Sequence, residues 1–419
     1  MQRVLVVLPF YGGSLPVGRY CAEALRETGC LVDIFDAPAF YGAFQAIKAL
    51  KVRPERQEFL ENSFLQQIVA QAVLAKVEAF VPDLVLCLAQ APMSRQVLKR
   101  LRADGIPTAM WFVEDFQVFS YWRAFAAHYD VFAVIQKEPF FTELASINVT
   151  NVLYLPLAAL PSAHKKLELS PVERKKFGSD LSFMGAGYPN RRAAFRAFAH
   201  RDFKIWGTEW DGEPLLAPLV QMQGARISSE DAVRIFNASR VNLNLHSSVH
   251  SEPVAGNGDF VNPRTFEIAA AGAFQLVDKR SLMPELFAAD ELATFATVEE
   301  MHEKIAYFLA RPEEREAYAL RGQQRVLAEH TYARRMETLL AFVRERFPTK
   351  LAAAKEPEWL AALPEEFVVE ARELVSLLQL PLTAAFSDVT AALRLRSGEL
   401  SPLETAILFL DEWKKQYCP

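Results

Sequence analysis

Residues 262–272, which read NPRTFEIAAAG, combine residue types that suit an anion site. Pro263 is favoured in the first turn of a helix, where its missing N–H costs nothing, and Gly272 suits the turn that ends one. The start of such a helix presents unpaired backbone N–H groups and the positive end of the helix dipole. Arg264 stands beside them, with a guanidinium that can hold phosphate in bidentate fashion. The segment predicts a phosphate site at a helix start that includes Asn262.

Glu267 lies three residues after Arg264, so the two side chains point to much the same side of the predicted helix. A cation for phosphates and a carboxylate for sugar hydroxyls, one turn apart, are what a nucleotide-sugar site needs. The alternative is a capped surface helix that carries a salt bridge between the two residues. The pattern alone leaves both interpretations open.

A second cationic helix start follows the strand predicted at residues 181–184. The loop reads GAGYPNRR, and Gly185 and Gly187 permit a ligand to approach the backbone closely. Arg191 and Arg192 fall in the first turn of the next helix, where cations oppose the helix dipole. An anion bound between them would explain this placement; the alternative is a solvated arginine pair.

Paired carboxylates follow the strand predicted at residues 108–113, in the sequence WFVEDF. Ligands of parallel α/β sheets bind at the carboxyl ends of strands. Glu114 and Asp115 occupy that position, so they could hold an acceptor hydroxyl or act as a general base. The alternative is a helix N-cap, for which Asp115 is well suited.

Two further features admit both a functional and a structural interpretation. Gly12 and Gly13 follow the first predicted strand; they could contact an acceptor, or they could simply make the turn, because the full G-x-G-x-x-G pattern is missing. His246 follows the strand predicted at residues 241–245 and could be a site residue or a strand-end cap.

Strands and helices alternate along the chain, which predicts an α/β fold with doubly wound parallel sheets. The strands are expected at residues 3–8, 31–35, 83–88, 108–113, 131–135, 151–155, 181–184, 203–206, 241–245 and 274–277. A proline-bearing, basic stretch after residue 155 is typical of a linker. We expect one lobe over residues 1–160 and a second over 161–347. Residues 348–419 lack strand signals and predict a helical appendage, with helices near 364–378, 382–395 and 402–417.

Composition excludes several classes of protein. Hydrophobic content of 51% and charged content of 23% describe a globular protein, and 419 residues are too many for one ordinary core. The net charge of −5 gives no argument for nucleic acid or an anionic membrane. The four cysteines show no metal-ligand or paired spacing, no apolar run reaches membrane-spanning length, and the first strand is too short for a signal peptide. These observations predict a cytoplasmic protein.

The second half of the chain resembles the CgeB-type branch of the GT-B glycosyltransferases. The resemblance covers roughly residues 154–347 and rests on YLPLA, FMGAGYPNRR, ASRVNLNLHSS, NPRTFEIAAAGAFQLVD and ARPEEREAYALRGQQRVLAEHTYARR, in the family's order. The first half resembles the family loosely, through WFVEDF. The resemblance implies two Rossmann-like lobes facing a cleft, a nucleotide-sugar donor in the C-terminal lobe, and no metal or other cofactor.

The resemblance also implies roles for particular residues. In related retaining GT-B transferases two acidic residues eight positions apart frame the donor, and Asp259 and Glu267 have that spacing. Glu267 is expected on the ribose hydroxyls and Asp259, in place of the usual Glu, near the donor sugar. Arg264 and Arg191 are expected to hold the diphosphate.

The sequence therefore predicts a metal-independent glycosyltransferase that moves a sugar from a nucleoside-diphosphate sugar to a hydroxyl of a glycan, protein or small molecule. Asp115 is expected to orient or deprotonate the acceptor. Two alternatives remain: a nucleotide-sugar epimerase of the same fold, and a degenerate transferase kept as a binding scaffold. The helical appendage is expected to form a homodimer or to bind a partner protein.

Overall fold

The computed structural model describes residues 2–252, 254–255, 258–348, 357–378, 380, 384–396 and 398–417. Of the cysteines considered above, Cys418 lies outside the described residues, as does part of the loop before Asp259. Cys21, Cys30 and Cys87 are buried and free of disulfide bonds. No helix in the described part of the chain is long and apolar enough to cross a membrane.

Eleven strands are found in the described residues, and ten of them match the expected ones to within a residue or two at either end. They are β1 (Arg3–Val7), β2 (Leu31–Phe35), β3 (Leu84–Leu88), β4 (Thr108–Phe112), β5 (Val131–Val134), β6 (Val152–Tyr154), β7 (Leu181–Met184), β8 (Phe203–Trp206), β9 (Val241–Asn244), β10 (Gln275–Asp278) and β11 (Ala293–Phe295). Strand β11 was not expected from the sequence, because three residues are too few to establish a period.

The strands form two sheets. The first has the order β2-β1-β3-β4-β5-β6 and the second the order β11-β10-β9-β7-β8. Pairing is parallel from β1 to β2 and β3, from β5 to β6, and throughout the second sheet. Parallel strands need helical crossovers, which this chain supplies. The expected α/β class with doubly wound sheets is confirmed.

The helices lie in the intervals between strands and in the C-terminal region. They are α1 (Leu15–Glu27), α2 (Tyr41–Lys48), α3 (Pro54–Ser63), α4 (Ala70–Phe80), α5 (Arg95–Ala103), α6 (Trp122–Phe125), α7 (Phe140–Ser146), α8 (Pro171–Phe177), α9 (Pro189–Phe195), α10 (Ser229–Ala238), α11 (Pro263–Ala270), α12 (Val298–Leu309), α13 (Pro312–Glu329), α14 (Tyr332–Arg346), α15 (Glu358–Ala361), α16 (Glu365–Leu377), α17 (Phe386–Leu395) and α18 (Pro402–Tyr417). A π-helical stretch, Phe64–Val69, joins α3 to α4.

Helix α8 was not expected, because its prolines and basic residues suggested a linker. The structure shows a complete capping box instead. Ser170 accepts from the backbone N–H of Glu173, and the Glu173 carboxylate accepts from the backbone N–H of Ser170 at 2.9 Å. Pro171 occupies the first helical position, where proline is tolerated. The pattern S-P-x-E is therefore a helix start signal, and its proline belongs to that signal.

The chain forms two compact units: Met1–Met110, His128–Val131 and Leu340–Pro419 make the first, and Trp111–Ala127 with Phe132–Leu339 make the second. The first contains β1 to β3 and the helices α16 to α18. The second contains the second sheet and α11. The proposed lobe boundaries at residues 160 and 347 remain a prediction.

Helix α11 is buried on most of its surface. Thr265, Phe266 and Glu267 are all buried, and Ile268 belongs to an apolar cluster with Phe236 of α10. The helix ends where Gly272 adopts a φ of +65°, a conformation that glycine adopts without strain. The expected helix from Pro263 to a terminating Gly272 is thereby confirmed, and its amino end is fixed by packing.

Candidate functional site

The amino end of α11 lies beside the carboxyl ends of β9 and β10. Asn262 caps the helix: its side-chain oxygen accepts from the Thr265 N–H at 3.0 Å. Its amide donates to Asn244 Oδ1 at 2.8 Å, and the Asn244 amide donates to Gln275 Oε1 at 3.0 Å. Because this amide network is satisfied within the protein, it holds the first turn of α11 in one position.

Arg264 and Glu267 form an ion pair between Nη1 and Oε2. The carboxylate side chain is only 8% exposed, whereas 29% of the Arg264 side chain is exposed. The guanidinium also lies 5.3 Å from the centre of the Phe236 ring. The pair therefore differs from the surface salt bridge considered above, because its acid is buried while its cation remains open to an anion.

His164 packs behind this pair and was not singled out from the sequence. Its Nδ1 accepts from the Leu160 N–H at 3.0 Å, and its Nε2 lies 3.9 Å from Glu267 Oε1. Burial lowers the pKa of His164, against the opposing influence of Glu267. A neutral ring that accepts at Nδ1 carries its hydrogen on Nε2, which faces the carboxylate.

His246 is fully buried at the end of β9 and is bonded at both ring nitrogens. Nδ1 lies 2.6 Å from Asp278 Oδ1, and Nε2 lies 2.9 Å from the Asn262 backbone nitrogen, which donates to it. Burial lowers the pKa of His246 to about 4, so the ring is neutral at pH 7. These bonds correspond to the strand-end alternative, in which His246 connects Asp278 at the end of β10 to the cap of α11.

Arg191 donates to backbone carbonyls on both sides of the candidate site. Nε bonds to the Leu245 carbonyl at 2.9 Å and Nη1 to the Ala186 carbonyl at 3.0 Å. Burial lowers its pKa to about 10, so it stays charged at pH 7. Its guanidinium thus stands beside the carboxyl ends of β7 and β9.

The glycines of GAGYPNRR make room for another backbone segment. A Cβ at Gly187 would lie 2.0 Å from the Glu209 carbonyl oxygen. The Gly185 carbonyl accepts from Trp210 Nε1 at 3.1 Å. Arg192 bonds to the carbonyls of Gly187 and Glu209 as well as to that of Asp211 at 2.7 Å. The structure accounts for Gly187 and Arg192 by the packing of this loop.

Asn190, which is buried at the start of α9, holds the chain after β9 and was missed from the sequence. Its amide donates to the carbonyls of His246 at 2.8 Å and Val254 at 3.1 Å. Its side-chain oxygen accepts from the Ser248 N–H at 3.0 Å. This residue therefore holds His246, Ser248 and Val254 in place.

Gln136 joins two of the predicted catalytic carboxylates. Its Nε2 donates to Asp259 Oδ1 at 2.9 Å and lies 3.4 Å from Asp115 Oδ1. Its Oε1 accepts from the Phe116 N–H at 3.0 Å, and the residue is 3% exposed. One oxygen of each carboxylate contacts the same nitrogen, Gln136 Nε2. Asp115 and Asp259 therefore lie close together although 144 positions of sequence separate them.

The remaining predicted residues have simpler surroundings. Glu114 accepts from the Tyr121 hydroxyl at 2.6 Å, and burial, with the Glu114 charge second, raises the pKa of that tyrosine. Asp115 accepts from the Gln117 N–H at 3.0 Å within a turn, so it is not the helix N-cap of the alternative interpretation; the next helix, α6, begins at Trp122. In the first unit, Gly12 has a φ of +100°, and among described residues no atom lies within 4 Å of a Cβ added at Gly12 or Gly13.

The motif HTYARR fastens the segment after β6. Arg335 donates to the Pro156 carbonyl at 2.7 Å and lies 2.7 Å from His330 Nδ1. His330 Nε2 lies 2.7 Å from the Leu286 carbonyl, and burial, with the Arg335 charge second, lowers the pKa of His330 to about 4. The motif therefore has a structural role, because its side chains bond to the backbone of neighbouring segments.

Gln136 and Asp278 could have been identified from the sequence by their positions at strand ends. The strand-end rule that singled out Glu114 and Asp115 applies equally to Gln136 after β5 and to Asp278 at the end of β10. Among the described residues, no group of three or more His, Cys, Asp or Glu side chains could hold a metal ion.

Comparisons with known proteins agree with this architecture. Residues 191–341 match a family model described as glycosyl transferase-like. The spore protein CgeB of Bacillus subtilis (strain 168) is 26% identical over 314 residues, which cover 71% of this chain and 92% of CgeB. The expected resemblance to CgeB is confirmed, and residues 191–341 are glycosyl transferase-like.

Solved structures share the fold at low sequence identity. Sucrose-phosphate synthase from Thermosynechococcus elongatus superimposes with a TM-score of 0.55 at 13% identity, over 83% of this chain and 100% of that chain. Anabaena HepE in complex with UDP and glucose gives a TM-score of 0.56 at 12% identity, over 82% and 100%. The expected GT-B type of fold is confirmed.

Proposed function

We propose that this protein transfers a sugar from a nucleoside-diphosphate sugar to a hydroxyl group of an acceptor, without a metal ion. The observation that carries the proposal is the amino end of α11, where Arg264 and the buried Glu267 stand beside a fixed helix start. A helix N-terminus and a guanidinium suit a diphosphate, and a buried carboxylate suits paired ribose hydroxyls.

The donor's charge is handled by side chains that the fold already positions. Arg264 and the backbone of α11 bind the diphosphate, and Arg191, held at the ends of β7 and β9, adds a second positive charge. Asn262, His246, Gly185 and Gly187 shape the donor site around them. In the reaction the bond between the anomeric carbon and the diphosphate oxygen breaks, so the leaving group gains negative charge that these cations stabilise.

The acceptor side is assigned to Asp115, one of the two carboxylates that meet at Gln136. The acceptor oxygen forms the new bond to the anomeric carbon and loses its proton, for which Asp115 is the proposed base or orienting group, aided by Glu114. Asp259 is proposed to contact the donor sugar. Gly12 and Gly13 are proposed to border the acceptor.

The HepE structure, which is a complex with UDP and glucose, supports a nucleotide-sugar donor for a chain of this fold. It also suggests the first probes for an experiment, UDP and UDP-glucose. We would screen nucleoside diphosphates and their sugars by thermal shift, since a ligand that binds the folded state raises its apparent stability.

Turnover then separates the candidate functions. Release of the nucleoside diphosphate that depends on an added hydroxyl acceptor, and that persists with a chelator present, supports the proposal. Isomerisation of the sugar without acceptor would replace it with an epimerase, and donor binding with neither product would replace it with a scaffold. Loss of turnover on chelation, restored by magnesium or manganese, would refute metal independence.

A further inference from the structure

Helix α18 exposes an apolar face to solvent, while its buried side carries Ile407 together with two acids, Glu404 and Asp411. Phe409, Leu410, Trp413 and Tyr417 are 68%, 49%, 49% and 62% exposed. At 3.6 residues per turn these four side chains fall within an arc of about 100°, so they form one continuous stripe. An amphipathic surface helix normally points such a stripe at its own core.

The orientation of α18 is fixed by buried acids on its opposite side. Glu404 is 2% exposed and pairs with Arg396. Asp411 pairs with Arg394 and with Lys415, each at 2.7 Å. Rolling the helix to bury the stripe would expose these pairs and the apolar contacts of Ile407, so the stripe stays outside.

The stripe is large enough to form the centre of a stable interface. Aromatic side chains present roughly 150–250 Å² each, so the exposed fractions given above leave about 400 Å² of apolar surface per copy with Leu410 included. Two copies would remove about 800 Å² from these side chains alone, roughly half of a standard interface of about 1,600 Å². Flanking residues would supply the rest.

The chemistry of the stripe favours its own copy as the occupant. None of its four side chains is charged, so the stripe presents no charge that a different protein could complement. An identical apolar stripe on a second copy of the chain matches it. Glu412 flanks one side and Lys414 the other. In a two-fold dimer whose two α18 helices run parallel, Glu412 of each copy faces Lys414 of the other copy.

We propose that this stripe on α18 is a homodimer interface, formed by two copies of the chain around a two-fold axis. The family model that matches this chain ends at residue 341, before the helices of the appendage. The interface therefore adds an assembly surface to the part that resembles a glycosyltransferase. It does not depend on the proposed reaction.

Sedimentation equilibrium on the full chain tests the proposal. We expect a dimer at low-micromolar concentration, and a dissociation constant that rises at least a hundredfold when Phe409→Glu and Trp413→Glu are combined. Trp413→Phe should keep the dimer. Val172→Glu, at another highly exposed apolar position, is the matched control and should also keep it.

Two results would overturn the proposal. One is a wild-type chain that stays monomeric up to tens of micromolar. This measurement needs no variant, and its outcome would mean that a different protein binds the stripe. The other is a dimer that survives the double substitution with unchanged affinity. Circular dichroism and thermal unfolding would establish that each variant is folded.

Discussion

Replacing Gln136 with leucine tests whether the amide that joins Asp115 and Asp259 positions them for catalysis. Leucine has a similar volume but neither donor nor acceptor. The change removes the 2.9 Å bond to Asp259, the 3.4 Å contact to Asp115 and the 3.0 Å bond from the Phe116 N–H. The two carboxylates then lose their shared partner.

The cost in stability follows from which groups stay buried. The Phe116 N–H is buried, and leaving such a donor unsatisfied costs about 1–3 kcal/mol. Asp259 is partly exposed, so water can replace its lost partner, and the charged bond costs near the low end of about 1.5–3 kcal/mol. We therefore expect Gln136→Leu to lower the free energy of unfolding by about 2–4 kcal/mol, or about 5–15 °C in Tm.

The catalytic effect should be larger than this loss implies, because a misplacement of about 1 Å can lower the rate a hundredfold. We expect kcat to fall about a hundredfold while the affinity for UDP, measured by calorimetry, stays within about twofold. Asn242→Leu is a matched control: Asn242 is a buried amide that donates to two carbonyls near the amino end of β9. Equal kcat in Gln136→Leu and Asn242→Leu, at similar stability, would refute a positioning role for Gln136.

Three further predictions concern charge. Arg264→Ala should weaken UDP binding, and it should lower the free energy of unfolding by about 3–5 kcal/mol, since the buried Glu267 carboxylate loses its ion-pair partner; Arg264→Lys should restore part of both losses, and unchanged calorimetry would remove Arg264 from the site. Glu267→Gln should weaken UDP binding about ten- to a hundredfold, and a variant that loses stability with intact affinity would identify a purely structural carboxylate. His246 and His330 have folded pKa values of about 4, below the ordinary 6.5, so the stability from their neutral rings is complete above pH 6.5 and is lost as pH falls to 4. Urea titrations between pH 6.5 and pH 4 should record a loss of unfolding free energy of up to about 3 kcal/mol per ring. A free energy of unfolding that stays constant across this pH range would contradict the assignment of neutral, buried rings.

Much of the fold could be predicted, because its strands are continuous apolar runs. β1, β3 and β4 are buried along nearly their whole length, and hydrophobic runs of that kind are typical of parallel sheets. Helix α11 was predicted from Pro263 and Gly272, whose conformational preferences are local. Two elements were not predicted. Strand β11 has only three residues, and helix α8 begins with a proline in a basic stretch that resembles a linker.

The contacts among the candidate site residues could be predicted from the sequence only in part. Arg264 and Glu267 were paired by helical spacing, which the sequence contains. Gln136 is bonded to Asp259 across 123 positions, and no period or motif encodes that meeting. The burial of Glu267 could not be predicted either, since the sequence pattern around it is the same for a surface ion pair and for a buried acid.

The bond between Arg335 and the Pro156 carbonyl has a consequence for how the chain is made. It closes a loop of 179 positions, and Trp111, whose ring nitrogen donates to Leu155, lies still further upstream. At about 5–20 residues per second, the ribosome needs roughly 10–35 s to add the residues between the two partners. We expect nascent chains that stop before the HTYARR motif to expose the Leu155–Ala159 region to protease, and chains that extend through α14 to protect it. Protection in the shorter chains would mean that this part of the second unit folds without its last helix.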